Sequence, residues 1–218
     1  MPDSTWIDKG TQIETKTSDK IILWIKNNRQ TSLGILVILG IILVFSISFY
    51  INYSKNTENV QRQLFLAQQV AFGGRTDVGI KQLTEIENNY PNRPEADFAI
   101  FTKGDLYFSN EKYKEAISEY EKIINKPRNQ DLIPYALYSI SKSYQAMADY
   151  NKAISMAKDF LSKYPEHFLS TQVYMSLAHC YEKTGDISSA NETYEKITVL
   201  YPDTLWADEA KTKIKTKK

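Results

Sequence analysis

PYALYSISKSYQAMADYNKAISMAKDFLSKYP, residues 134–165, reads as two helices in succession. In its first half Leu137, Ile140, Ser141 and Tyr144 recur at i, i+3, i+4 and i+7, so they share one helical face. The second half, from Tyr150, sets Ala153, Ala157 and Phe160 on an inner face. It stops at Tyr164-Pro165, because the residue before a proline is pushed out of the helical region. Ala153 has its own meaning: antiparallel helices approach most closely where a side chain is nearly absent, and a large residue there should open the pair.

Working outward, the same features return with a period of 37 residues. Tyr90-Pro91, Tyr164-Pro165 and Tyr201-Pro202 lie 74 and then 37 apart, while Gly79, Ala116, Ala153 and Ala190 form a second column and Tyr107, Tyr144 and Tyr181 a third. Where a further Tyr-Pro is due, Pro127-Arg128 carries its proline one position early. The register predicts helix pairs starting near residues 60, 97, 134 and 171, with a capping helix over 203–218 whose lysines (Lys211, Lys213, Lys215, Lys217, Lys218) form a solvated basic end. The expected fold is all-α: a single N-terminal transmembrane helix, an α-solenoid of about four helix-turn-helix units over 60–218, and the cap.

These columns resemble the tetratricopeptide repeat. Its small eighth residue corresponds to Ala67, Gly104, Ser141 and Ala178, its eleventh aromatic to Tyr107, Tyr144 and Tyr181, its twentieth alanine to Ala116, Ala153 and Ala190, and its closing proline to Pro91, Pro165 and Pro202. The first unit departs, with Val70 for the tyrosine and Gly79 for the alanine. The resemblance implies a concave groove lined by the second, fifth, ninth, twelfth and thirteenth positions. Carried over, these give Phe98, Phe101, Asp105, Phe108, Tyr135, Tyr138, Lys142, Gln145, Gln172, Met175, His179 and Glu182. The partner-binding candidates among them are Phe98, Phe101, Phe108, Tyr135, Tyr138, Lys142, Met175 and His179, since aromatic groups on a wall that folding does not require suit a peptide partner. A register shift of one or two residues would instead return the aromatics to the core. The family's clamp for a chaperone C-terminus needs lysine and asparagine at the fifth and ninth positions, where this chain has Phe101 and Asp105, which disfavours that role.

Upstream, Leu33 to Ile51 (LGILVILGIILVFSISFYI) holds no charge over 19 residues, and 14 of them are Leu, Ile, Val or Phe. As a helix it reaches roughly 28 Å, the hydrocarbon thickness of a bilayer. A core helix of that length would show a polar face, and SFYINYSK beyond it offers no small-x-small cleavage pattern, so the expectation is an uncleaved span. Before it lies a tail, 1–32: its first half is expected to be disordered, and Ser18 or Asp19 should cap a short helix that lays Trp24 at the headgroup level. Residues 52–59 form a short polar junction. Residues 16–32 carry Lys16, Lys20, Lys26 and Arg29 against Lys55 and Arg62 in 52–68, which favours a cytoplasmic N-terminus. The layout resembles the YfgM family, ancillary to the SecYEG translocon, and the repeats are similar to those of CpoB and BamD. That resemblance implies an inner-membrane protein with periplasmic repeats that bind translocon subunits, periplasmic chaperones or client polypeptides. The alternative reading is a scaffold for envelope assembly or cell division without clients, and an inverted topology would put the repeats in the cytosol.

Composition narrows the rest. Net charge is +1, and from Asn52 onward 22 basic residues meet 22 acidic ones, so no basic field exists for nucleic acid. The lone Cys180 sits in an apolar run and suits a small buried hydrophobe. No phosphate loop, HExxH or nucleophile elbow occurs. His167 and His179 lack carboxylate partners at metal-ligand spacing, and the sequons at Asn52 and Asn191 are weak matches. An enzyme, a cofactor, a metal and a small-molecule substrate are therefore not expected.

Overall fold

A computed structural model of the chain describes residues 17–215, and every regular element among them is helical. In order these are α1 (Thr17–Asn27), α2 (Arg29–Phe72), α3 (Thr76–Asn89), α4 (Pro94–Ser109), α5 (Tyr113–Asn125), a 3-10 turn (Gln130–Leu132), α6 (Ile133–Ala146), α7 (Tyr150–Lys163), α8 (Ser170–Thr184), α9 (Ile187–Leu200) and α10 (Leu205–Lys215). The chain divides into two compact units at Thr57/Glu58.

The first unit holds α1 and the start of α2. Helix α1 is described from Thr17 onward, with Ser18 and Asp19 within its range, and the expected cap lies outside the described residues. Residues 1–16, where disorder was expected, and 216–218 of the cap lie outside the described residues. The 44-residue α2 is long and apolar enough to cross a membrane, with a mean hydropathy of 2.7 over its most apolar window and that window wholly unburied. The polar junction 52–59 is helical and continues α2.

The second unit is a run of helices in which, from α3 onward, each packs on the next in sequence. Its apolar interior is four clusters in a row rather than one core. The first joins Val60, Ala67 and Ala71 of α2 to Leu83 and Ile86 of α3, and the last ends with Ala210 of α10, which caps α9. The first helices of the second, third and fourth pairs start at Pro94, Ile133 and Ser170, within three residues of the expected register.

The small residues of the 37-residue repeat have a steric cause. Ala116, Ala153 and Ala190 are fully buried. A Cβ on Gly79 would lie 2.3 Å from that of Ala71, and one on Gly104 would lie 2.5 Å from the Tyr120 ring, so both glycines are fixed by close approach. A fourth column was hidden in the sequence: Gly74, Glu111, Ala148 and Gly185, again 37 apart, all take a left-handed backbone in the turn within a pair (φ 91, 59, 59 and 82°).

Tyr90, Tyr164 and Tyr201 end their helices as expected, each with φ near −130°. The early Pro127 stops α5 one residue short, at 13 residues against 14 in α3, α7 and α9. Asp97, fully buried on α4, repairs this junction. Its carboxylate accepts from the backbone N–H of Arg128 and of Asn129 (2.7 Å) and from the Arg128 guanidinium (2.9 Å). Nearby, the buried Lys103 ammonium meets Glu87 and Glu119, and Lys122 pairs with the same two carboxylates at 3.3 and 2.9 Å. Burial there works against charge on Glu87, but the two lysines outweigh it and hold its pKa below the ordinary value.

Candidate functional site

The first helices of successive pairs carry the aromatic residues singled out from sequence. On α4, Phe98 is exposed, while Phe101 and Phe108 are half-buried and rest one face on the second pair's core. Phe101 meets Tyr135 of α6 edge-on, with ring centroids 6.4 Å apart. Tyr138, also half-buried, lies on the next core cluster, and burial raises its pKa. Lys142, exposed, places its ammonium 5.6 Å from the ring centroids of both Phe108 and Tyr138. Phe98, Phe101, Phe108, Tyr135, Tyr138 and Lys142 thus run along adjacent helices, and the half-buried rings rest against the core while staying partly accessible.

Met175 and His179 stand apart from that run. Met175 is half-buried against the fourth core cluster, and His179 is exposed with Nδ1 3.8 Å from the Glu182 carboxylate. Glu182 also accepts the hydroxyl of the buried Tyr194, at 3.1 Å. Gln145, another groove position, donates to Ser176 and so links α6 to α8.

Three aromatics were missed. Phe65 and Phe72 of α2, both exposed, join Phe98, Phe101 and Asp105 around a depression of about 470 Å3. At its floor the Gln68 amide donates to the Thr102 hydroxyl (2.9 Å), tying α2 to α4. Phe72 occupies the thirteenth position of the degenerate first unit, which could have been read had the register been carried one pair further back. The third, Phe168, is exposed in the α7–α8 loop beside Tyr135 (5.9 Å) and His167 (4.6 Å), a place that no helical position encodes. His167 packs edge-on against Tyr135, Phe160 and Tyr164, and its Nδ1 accepts the Leu169 N–H.

Asp105 is the carboxylate of this surface. Its Oδ1 accepts the Tyr120 hydroxyl at 2.7 Å; burial raises its pKa, partly offset by that bond and by Lys142. Cys180 is buried and its thiol pKa is pushed up to about 11 by desolvation, which makes it inert.

With helix pairs, small columns and a groove in place, comparison with known proteins is direct. Residues 99–125, 135–167 and 171–204 match models of the tetratricopeptide repeat. These are tetratricopeptide repeats. The fold is similar to a tetratricopeptide repeat protein from Parabacteroides merdae (14% identity, TM-score 0.60, 72% of this chain and 59% of that one). It is also similar to the TPR-like repeats of a kinesin light chain from Podosopora anserina (15%, 0.57, 72% and 83%) and to MamA (19%, 0.52, 75% and 83%). No curated protein matches the sequence. Tetratricopeptide repeats make this part of the chain a protein-protein interaction module.

Proposed function

We propose that the chain is a membrane-anchored interaction module whose groove, over α4 and α6 with the end of α2, binds polypeptide segments through its aromatic residues. The observation that carries this is the run of rings on adjacent first helices, of which Phe65, Phe72 and Phe98 are exposed although burial would stabilise the fold. In this reading residues 33–51 of α2 cross the bilayer with the N-terminus in the cytoplasm. The repeats then lie in the periplasm of a bacterial inner membrane and meet translocon subunits, periplasmic chaperones or emerging clients. The charge asymmetry about the span and the layout's resemblance to the YfgM family support that placement.

The test is a photo-crosslinking residue at Phe98 in the full chain in intact membranes, with a topology reporter after Lys218. Crosslinks to translocon subunits and many nascent chains, beyond those of an unrelated single-span control, are expected. One or two stoichiometric partners would favour the scaffold reading, and none above control would overturn the groove.

A further inference from the structure

Resting on the groove reading, we propose that the end of the groove between α2 and α4 is a subsite for a lysine or arginine of an otherwise apolar polypeptide segment, with Asp105 as its counter-charge. The depression there is walled by Phe65, Phe72, Phe98 and Phe101, and Asp105 is the ionisable group in its lining. Apolar walls around one carboxylate complement a side chain with an aliphatic stem and a cationic head. They reject an acidic segment or a chain-terminal carboxylate.

The fold itself does not call for this charge. One carboxylate oxygen accepts the Tyr120 hydroxyl, a bond that an asparagine oxygen can also make, and the Lys142 ammonium acts on Asp105 through its field only, with no ion pair to Asp105 among the described residues. Burial disfavours its ionised form, so a charged Asp105 opposes folding at neutral pH. An arriving cation would relieve that penalty by a charge-assisted hydrogen bond in a partly desolvated site. The adjoining stretch of groove shows the same chemistry internally: the Lys142 ammonium rests over Phe108 and Tyr138.

The experiment uses the full chain in lipid nanodiscs, with empty nanodiscs as background, and fluorescent twelve-residue leucine/alanine peptides whose central residue is lysine, norleucine or glutamate. Fluorescence anisotropy should show the lysine peptide binding about tenfold tighter than the norleucine peptide and the glutamate peptide weaker than both. Asp105→Asn should bring the lysine peptide to the norleucine level and keep or raise the melting temperature. Equal affinity for lysine and norleucine, or a lysine preference that survives Asp105→Asn, overturns the subsite. Phe98→Ala separates the two failures. If it weakens all peptides while no lysine preference exists, the groove stands and the subsite falls; if no peptide binds, or Phe98→Ala changes nothing, both fall.

Discussion

The second and third helix pairs follow one register and solve it with opposite chemistry. In the α4–α5 pair Gly104 leaves room for the buried Tyr120, the buried Lys103 joins Glu119 in a charge cluster with Glu87 and Lys122, and the exit is held from a distance by Asp97. In α6–α7 the matching positions are Ser141 and Ala157, then the apolar Ile140 and Met156, and the exit is local: the Tyr164 carbonyl accepts from the His167 N–H (3.2 Å) and the Ser170 hydroxyl (2.9 Å). The period specifies backbone geometry only, and side chains reach it by sterics, charge or turn chemistry.

The sharpest way to break this contrast is Asp97→Ala. It leaves the Arg128 guanidinium and two N–H groups without their buried acceptor, and should cost about 3–5 kcal/mol in denaturant unfolding of the full chain. Ser170→Ala at the corresponding local exit should cost only about 1 kcal/mol. Next comes Gly104→Ala, which drives a methyl into the Tyr120 ring and should cost about 1–3 kcal/mol. In a double-mutant cycle with Tyr120→Ala the penalty should shrink, because the obstacle is gone.

Acid titration should act on the charge cluster that joins Glu87 of α3 to Lys103, Glu119 and Lys122 of the second pair. The folded pKa of Glu87 lies below its ordinary value of 4.5, so its stabilising contribution is complete above that value and lost as pH falls through the folded one. Melting temperatures at pH 6 and pH 3 should therefore converge partly in Glu87→Gln, and an unchanged pH dependence would show that the cluster contributes nothing. The smallest effect is expected in the turns. Ala148→Gly relieves a left-handed alanine and should stabilise by about 0.5–1 kcal/mol, while Gly185→Ala at the equivalent turn should destabilise by a similar amount.

The helix pairs were legible because small residues, tyrosines and prolines recur where packing tolerates little else. The left-handed turn column escaped notice since Glu111 and Ala148 occupy it beside two glycines, and neither residue type announces that backbone. Pro127 showed that something was displaced, but its repair by Asp97 joins residues about thirty apart, beyond any local pattern. Of the groove, the positions on α4 and α6 were readable from the register. Phe72 was readable as well, at the thirteenth position of the first unit, whereas Phe65 was not because it falls at no groove position and Phe168 was not because it sits in a loop. Met175 and His179 occupy groove positions by count, yet one leans on core and the other on Glu182.

The four core clusters strung along the repeats carry a further consequence. Since each helix leans on its neighbours and not on a common centre, removing the outermost element deprives only the next one of cover. A protease working inward from α10 should release a ladder of fragments shortened one helix pair at a time, each still helical, instead of degrading the chain in a single cooperative collapse.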